Sequence, residues 1–525
     1  MPAKKSSKLP TFIAKYGFWF ILTVIVLIAI WFRFYQLDSL PPGLHPDEAA
    51  NGQDVFRIFA GDIRPLYATN GPRESLFFFF QAIFVKTLGN TILALRIAPA
   101  LFGVLAVIAV YFWASDWFGR RVGLFAAFFM AINPWVVIIS RDGFRASMTP
   151  LLVASVAYFG GKAIKTKKTA YYIAAGITLG LGAYTYTAYQ LMLAATVGLF
   201  VYTVVFRRQW IKNQYRNIIA AIIAFAIVLS PLAVFSIRNP EAAARAGGTS
   251  FLNPSLNNGK PLATLWDSTQ KTLLQYNFRG DDNARHNVPG EPYLNTFVGI
   301  MFVLGILVSL FAIHHTRYFA VLFIAFAMML PAALTAEGLP HGLRSIGSAP
   351  GVMIVAAIGL SYFLGRWYAI FPINSLARNI GLSLVVVLLG ATLVQNYRAY
   401  FTAWAGSEAT YEAYAEDNVE LAKYMLANAQ GSSAPKVYNV LDGYSIRTLE
   451  YLLHDKTIKR ERVEWDQVKS LPLTEEPTIF TIQNNNHTEE VTTILKAKYP
   501  NGRLLPQYSP AFSNRLLFYT YEVNR

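Results

Sequence analysis

The sequence predicts a polytopic α-helical membrane protein with a small α/β domain at its carboxyl end. Composition is the first ground. Of 525 residues, 54% are hydrophobic and only 14% are charged, with a mean hydropathy of +0.35. Soluble domains carry about 25% charged residues, so a soluble globular enzyme is excluded. The second ground is a series of eleven apolar windows, each near the roughly 20 residues that a bilayer core requires. The third is the placement of charge. Residues 401–525 hold 13 basic and 16 acidic side chains, whereas residues 1–400 hold 33 basic and 14 acidic. The net charge of +16 therefore belongs to the apolar body, where it punctuates the spans and forms no groove-sized cluster, so nucleic acid is not a partner. With no cysteine, disulfides, thiolate metal sites and a cysteine nucleophile are excluded.

The windows are residues 16–35, 92–116, 121–139, 146–162, 170–187, 188–206, 217–236, 293–313, 317–335, 346–365 and 379–397. The first follows Lys4, Lys5, Lys8 and Lys15 and has no small-residue cleavage signature after it. It reads as an uncleaved anchor whose amino end is cytoplasmic. The segment from Glu74 to Gly89 is apolar but short, opens with Arg73 and Glu74, and carries Lys86. If it lies in the interface, the loops holding Arg120 and Arg121, Lys162–Lys168, Arg207–Arg216, His314–Arg317 and Arg366–Arg378 all face the cytoplasm. If it spans, most of them face outward. The positive-inside rule selects the first arrangement: about eleven transmembrane helices plus an in-plane helix, in the plasma membrane.

That topology defines a transmembrane body, residues 1–400, with outer loops at 36–91, 140–145, 237–292 and 336–345. Of the fourteen acids of the body, all but Asp116 fall on the outer side, Glu241 among them. Long outer loops accommodate acids anyway, but several loops assembling one acidic site on a rigid scaffold also produce this pattern. Residues 401–525 read as a soluble extracytoplasmic α/β domain. Residues 408–428 have helical spacing, and behind the linker QGSSAP the patterns PKVYNVL, SIRTLEYLLHD, RVEWDQV, PTIFTIQ, EEVTTILKAKY and RLLFYTYEV alternate between strand and helix.

Four outer segments could carry chemistry. In PPGLHPDEAANGQD, prolines stiffen the chain and Asp47 and Glu48 open a helix. Acids there also complement the helix dipole, so capping alone is one account of them. Their position directly after the first span, near His45, Asp54 and Asp62, is the argument for catalysis. In SRDGFRASMTP, Arg141, Asp142 and Arg145 are either snorkelling arginines with a neutralising aspartate or a phosphate clamp with forked donors. In NFRGDDNARHNVPGEPYL, Asp281, Arg285, His286 and Asn287 form a compact charged cluster. TAEGLPHGLRSIGSAP adds Glu337, His341 and Arg344.

There is no Walker loop, no dinucleotide fingerprint, no HExxH and no Cys/His metal spacing. Outer-loop carboxylates could hold a divalent cation, though no ligand spacing argues for one. The spans lack the buried charged residues that mark an ion or substrate path at the midplane, which weighs against a transporter.

Together these segments resemble polytopic glycosyltransferases of the GT-C fold, in particular the bacterial group related to protein O-mannosyltransferases and to the aminoarabinose transferases of lipid A. The resemblance spans most of residues 16–400. It rests on HPDEAANGQD, GPRESLFFFF, ALRIAPALFGVLAV, FGRRVGLFAAFFMAINPWVVIISRDGFR, GDDNARHNVPG and PHGLRSIG, in this order and with common sidedness. Ser75 departs from it, standing where relatives carry proline. What the resemblance implies is transfer of a sugar from a polyprenyl-phosphate donor to an acceptor hydroxyl of a protein, lipid or glycan at the outer membrane face. In the family the first acid of the first outer loop is the general base, a position held here by Asp47 with Glu48 beside it. Arg141, Arg145, His341 and Arg344 are candidates to bind the donor phosphate. Arg73, Glu74, Asp142, Asp281, Arg285, His286 and Asn287 are candidates to bind substrate. Two alternatives belong to neighbouring classes, a polysaccharide ligase or polymerase and a lipid-linked-sugar flippase.

Overall fold

The computed structural model describes residues 11–68, 71–240, 248–431, 434–474 and 476–523. Lys4, Lys5, Lys8 and Glu241 lie outside the described residues, as do Ser432 and Ser433 of the QGSSAP linker. The chain divides into two compact units. One comprises residues 1–35, 64–77 and 99–403, and the other residues 36–63, 78–98 and 404–525. The second unit joins the residues after 403 to most of the first outer loop and the start of the second long helix.

In the first unit every predicted window falls on helix. Among the described residues, seven helices of the chain are long and apolar enough to cross a membrane: Gly17–Phe34, Ile92–Phe118, Thr187–Phe206, Arg208–Arg238, Thr316–Ala333, Gly342–Ile370 and Ser375–Trp404. An eighth span arises if Arg120–Ile132 and Pro134–Arg141, bent by 59° at Asn133, are counted together. The bend is written in the sequence. Pro134 cannot continue the ladder of the preceding helix, and the Asn133 side chain accepts the Val136 N–H to start a new one. The remaining windows hold Thr149–Thr166, which carries Lys162 and Lys165, and the shorter helices Thr169–Gly182 and Thr296–Phe311. The segment expected to lie in plane forms the 13-residue helix Leu76–Leu88.

Glycines let the helices of this unit approach backbone to backbone. A Cβ on Gly305 would lie 1.8 Å from the Val355 carbonyl oxygen, and one on Gly359 would lie 2.0 Å from that of Met301. Helices Thr296–Phe311 and Ala349–Ile370 therefore pack through small residues, as membrane helices do. Ala349–Ile370 is buried over most of its length, whereas Phe20, Leu27, Ile222 and Ile227 present apolar side chains outward. Asp116 is held by Lys162 and Lys165 at 3.1 and 3.0 Å.

The second unit contains a five-stranded sheet. Two short strands, β1 (Leu66–Tyr67) and β2 (Arg73–Glu74), precede it in the chain and belong to the first unit. The sheet strands are β3 (Lys436–Val440), β4 (Arg460–Val463), β5 (Thr478–Gln483), β6 (Arg503–Tyr508) and β7 (Leu516–Val523), in the order β4-β3-β5-β7-β6. The first three are parallel to one another, and β7 runs antiparallel to β5 and β6. Side chains alternate between two cores. Val437, Leu441 and Ile479 meet Leu421, Met425 and Leu449 on one face, while Tyr438, Val440, Phe480 and Ile482 meet Val468, Val491 and Leu495 on the other. The edge strand β6 has no counterpart among the sequence patterns, because Pro506 interrupts it, and an edge is where a strand tolerates proline.

The helix expected over 408–428 is two helices, Glu408–Ala413 and Glu416–Asn428. Ala415 between them takes a left-handed conformation with φ 52°. The local reason is packing: a Cβ on Gly43 would lie 2.4 Å from the Tyr414 carbonyl oxygen, so the break accommodates the first-loop backbone.

Candidate active site

The helix Pro46–Phe59 presents two adjacent acids in different states. Pro46 fixes the first turn, and His45 caps it by accepting the Asp47 N–H at its Nδ1, 3.2 Å away. Glu48 points inward and is 1% exposed. Its two oxygens take Nη2 and Nε of Arg96 at 2.9 and 3.0 Å. The same guanidinium donates to the carbonyls of Pro41 and Gly43, at 2.6 and 2.9 Å, so Arg96 pins the proline-rich loop as well as the carboxylate.

Asp47 points the other way and keeps 34% of its side chain exposed. Its Oδ1 accepts the hydroxyl of Tyr444 at 2.7 Å, and its Oδ2 lies 3.6 Å from His45 Nδ1. Tyr444 follows β3 in a turn organised by Asp442, whose Oδ1 accepts the backbone N–H groups of Tyr444 and Ser445 at 2.8 and 2.7 Å. Burial pushes the Asp442 carboxyl up, but these N–H donors and the neighbouring side chains outweigh it and hold the group below its ordinary value.

In the first unit the remaining candidates converge from four segments. Glu74 at the end of β2 forms a buried ion pair with Arg145 and accepts the Thr187 hydroxyl at 3.2 Å. The bent helix carries Arg141 inward, where its guanidinium donates to the carbonyls of Phe32 and Tyr35 and lies over the rings of Tyr400 and Phe401. Asp142 next to it is buried. Phe144, in the same turn, packs on His286 with ring centres 5.7 Å apart.

His286 donates from Nδ1 to Asp281 at 2.8 Å, and the same carboxylate oxygen accepts the Gly342 N–H at 2.8 Å. The His341 ring stacks on His286 at 4.7 Å. Burial lowers the pKa of both imidazoles. Asp281 opposes this for His286, while His286 and the nearby Arg344 and Arg285 push His341 further down. Arg344 donates to the Glu337 carbonyl at 3.1 Å, and Asn287 donates to the Glu291 carbonyl at 2.6 Å. The Arg285 N–H is turned toward the Asn283 side chain at 3.0 Å.

Asp281, His286 and His341 offer ligand atoms within 4.8 Å of one another, a set that could hold a cation. Both Asp281 oxygens are already engaged, Oδ1 by the Asn283 N–H at 2.8 Å and Oδ2 as above. A cation there would displace the bond that fixes the His286 tautomer, next to two arginines. The arrangement suits a braced pair of neutral imidazoles better than a metal centre.

Arg96, Phe144, Thr187, Asp442 and Tyr444 take part in this geometry and are absent from the sequence candidates. Arg33 and Arg96 are also fully buried within windows where no buried charge is expected, and Arg141, from the outer loop, is fully buried at the end of its helix. Each stands near a helix end and gives its guanidinium to carbonyls, Arg33 to those of Ala131 and Met130. Carbonyl oxygens thus satisfy part of each buried charge.

Residues 73–234 match the sequence model of the dolichyl-phosphate-mannose-protein mannosyltransferase family. The apo structure of ArnT from Cupriavidus metallidurans matches over 97% of this chain and 98% of its own, with a TM-score of 0.53 at 14% identity. The chain has the GT-C fold. The same protein bound to undecaprenyl phosphate matches with a TM-score of 0.53 at 12% identity, over 97% and 98% of the two chains. The apo oligosaccharyltransferase of Archaeoglobus fulgidus matches with a TM-score of 0.53 at 14% identity, over 85% of this chain and 65% of its own. No curated protein matches the chain by sequence.

Proposed function

We propose that the chain is an inverting glycosyltransferase that moves a sugar from a polyprenyl-phosphate donor to an acceptor hydroxyl of a protein, lipid or glycan. The observation that carries this reading is the division of labour between the two first-loop acids. Glu48 is buried and consumed by Arg96, whereas Asp47 is partly exposed and accepts the Tyr444 hydroxyl at Oδ1. A carboxylate so presented is suited to general-base work. Support comes from the family match over residues 73–234 and from the fold shared with a protein whose structure holds undecaprenyl phosphate.

In this mechanism the acceptor oxygen attacks the anomeric carbon while Asp47 takes its proton. The bond from that carbon to the phosphate oxygen breaks on the opposite face, and polyprenyl phosphate leaves with the electron pair. One bond is made and one broken, with inversion and no covalent enzyme intermediate. Charge builds on the departing phosphate, so fixed cationic donors lower the barrier. Arg344 and Arg285 are the proposed cationic donors, and the neutral His341 imidazole is a proposed N–H donor to the phosphate. Arg141 and Arg145, spent on carbonyls and on Glu74, are assigned to shaping the turn that carries Asp142. The Glu48–Arg96 pair is assigned to holding the Asp47 loop. We further assign the chain to the plasma membrane, with the amino end cytoplasmic and the carboxyl-terminal domain outside.

The test is incubation of the purified chain with polyprenyl-phosphate sugars and hydroxyl acceptors, reading the anomeric configuration of the product by NMR. An inverted glycoside with stoichiometric release of polyprenyl phosphate is expected. A retained configuration, or translocation of the lipid without bond formation, would exclude this mechanism.

A further inference from the structure

We propose that the carboxyl edge of the parallel strands β4, β3 and β5 is the acceptor site, and that it takes a neutral oligosaccharide stacked on the paired rings of Trp465 and His487. This rests on the reading of the chain as a glycosyltransferase with Asp47 as its base. It narrows the acceptor from protein, lipid or glycan to glycan.

Topology places an opening at this edge. β4 and β5 lie on either side of β3. The chain leaves β3 for the helix Ile446–Leu452, whose Leu449 lies in one core of the sheet. It leaves β5 for the helix Thr488–Lys498, whose Val491 and Leu495 lie in the other. Where such turns diverge to opposite faces, an open α/β sheet forms a crevice outside the carboxyl ends of its strands. Gln483 links the two turns here, accepting the Asp442 N–H at 3.3 Å and donating to the Ser445 hydroxyl at 3.2 Å.

The turns carry what a sugar ring needs. Trp465 follows β4 and His487 follows β5, and their rings are parallel to within 7° with centres 4.0 Å apart. Trp465 is 36% exposed and belongs to neither core, so the stack is a surface platform. The electron-rich face of an aromatic ring attracts the C–H edge of a pyranose. Beside it Asn484, Asn485 and Asn486 are exposed, and side-chain amides combine donors with an acceptor, as hydroxyl groups require. The platform is continuous with the Asp47 site. Arg462 pairs with Glu464, next to Trp465, donates to the Leu441 carbonyl at 3.3 Å, and lies 3.0 Å from where a Cβ on Gly443 would stand. Gly443 precedes Tyr444, whose hydroxyl donates to Asp47 at 2.7 Å. The charge around the edge, Asp442, Glu464, Asp466 and Glu489 against Arg447 and Arg462, favours an uncharged ligand over an acidic one.

The experiment uses the full chain in lipid nanodiscs. Saturation-transfer NMR reads the binding of neutral gluco-, manno- and galacto-hexasaccharides, of a uronic acid hexasaccharide and of a serine-rich peptide. Expected is saturation at the ring C–H protons of a neutral hexasaccharide, with weaker binding of the acidic one. Trp465→Ala should weaken Kd about tenfold with no change in melting temperature. With a polyprenyl-phosphate sugar added, the loss should fall on KM for the hexasaccharide and not on KM for the lipid donor. If Trp465→Ala does not fold, Asn486→Ala should weaken the same binding about threefold. No binding of any neutral hexasaccharide, or binding that these variants leave unchanged, overturns the proposal. Transfer to the peptide or to a lipid acceptor that Trp465→Ala does not slow overturns it while the glycosyltransferase reading stands. Trp465-dependent binding without transfer does the reverse, keeping this site and removing that reading.

Discussion

Glu48 and Arg96 meet in a two-point ion pair that is closed to solvent, and the same arginine holds the carbonyls of Pro41 and Gly43. One guanidinium thus satisfies a buried carboxylate and fixes the loop that presents the neighbouring Asp47. Removing one partner of a buried pair leaves an uncompensated charge, a loss of roughly 3–5 kcal/mol. Arg96→Gln is expected to lower the melting temperature in detergent sharply and to abolish activity with it. An Arg96→Gln protein as stable as the parent would show that the pair does not hold the loop.

Arg141 and Arg344 should separate in their effects. Arg141 gives forked donors to two carbonyls and lies over two aromatic rings, a combination lysine cannot reproduce. Arg141→Lys is expected to lower thermal stability by about 1–3 kcal/mol. Arg344→Ala should leave stability unchanged and raise KM for the lipid donor about tenfold or more. Steady-state kinetics with the two variants, beside melting curves, checks both. The reverse pattern would exchange their roles.

The stacked histidines give a pH dependence of defined sign. Burial pushes His286 and His341 below the ordinary histidine value, so the folded chain holds them neutral while the unfolded chain protonates near pH 6.5. Their contribution to stability is therefore fully present above about pH 6.5 and is lost as pH falls toward the lowered values. The melting temperature should decline on acidification from pH 7 to 5, and the decline should be shallower in His341→Gln. An equal slope in that variant would assign the acid sensitivity elsewhere.

Gly305 and Gly359 predict an intolerance within the bundle. At each, a methyl group would meet a backbone carbonyl oxygen at 2.0 Å or less, which side-chain movement cannot relieve. Gly359→Ala is expected to destabilise by at least about 1–3 kcal/mol and to lower the yield of folded protein in the membrane. A control at Gly365, where nothing lies within 4 Å, should be neutral.

The apolar windows marked where helices form, because membrane burial imposes length and composition locally. The split at Asn133–Pro134 went unread within the single window 121–139, although its causes, a proline and an amide cap, act within one turn. The break at Ala415 and the edge strand β6 were not legible, because the first depends on Gly43, far away in sequence, and the second carries a proline. At the site, Asp47 stood out by its position after the first span. The burial of Glu48 could not be read, since adjacent acids differ only in which face of the helix they occupy. Arg96 lay inside an apolar motif, and Tyr444 lies 397 residues from Asp47 in a short Asp-Gly turn. Long-range partners of this kind leave no local pattern.

If Asp47 removes the acceptor's proton, the effect is read in the rate of glycosyl transfer by Asp47→Asn with a polyprenyl-phosphate sugar. The amide keeps the size and the Tyr444 contact but cannot take a proton. The rate should fall by about 10²–10⁴-fold, with unchanged membrane insertion and donor binding. Transfer at the parent's rate would contradict the account.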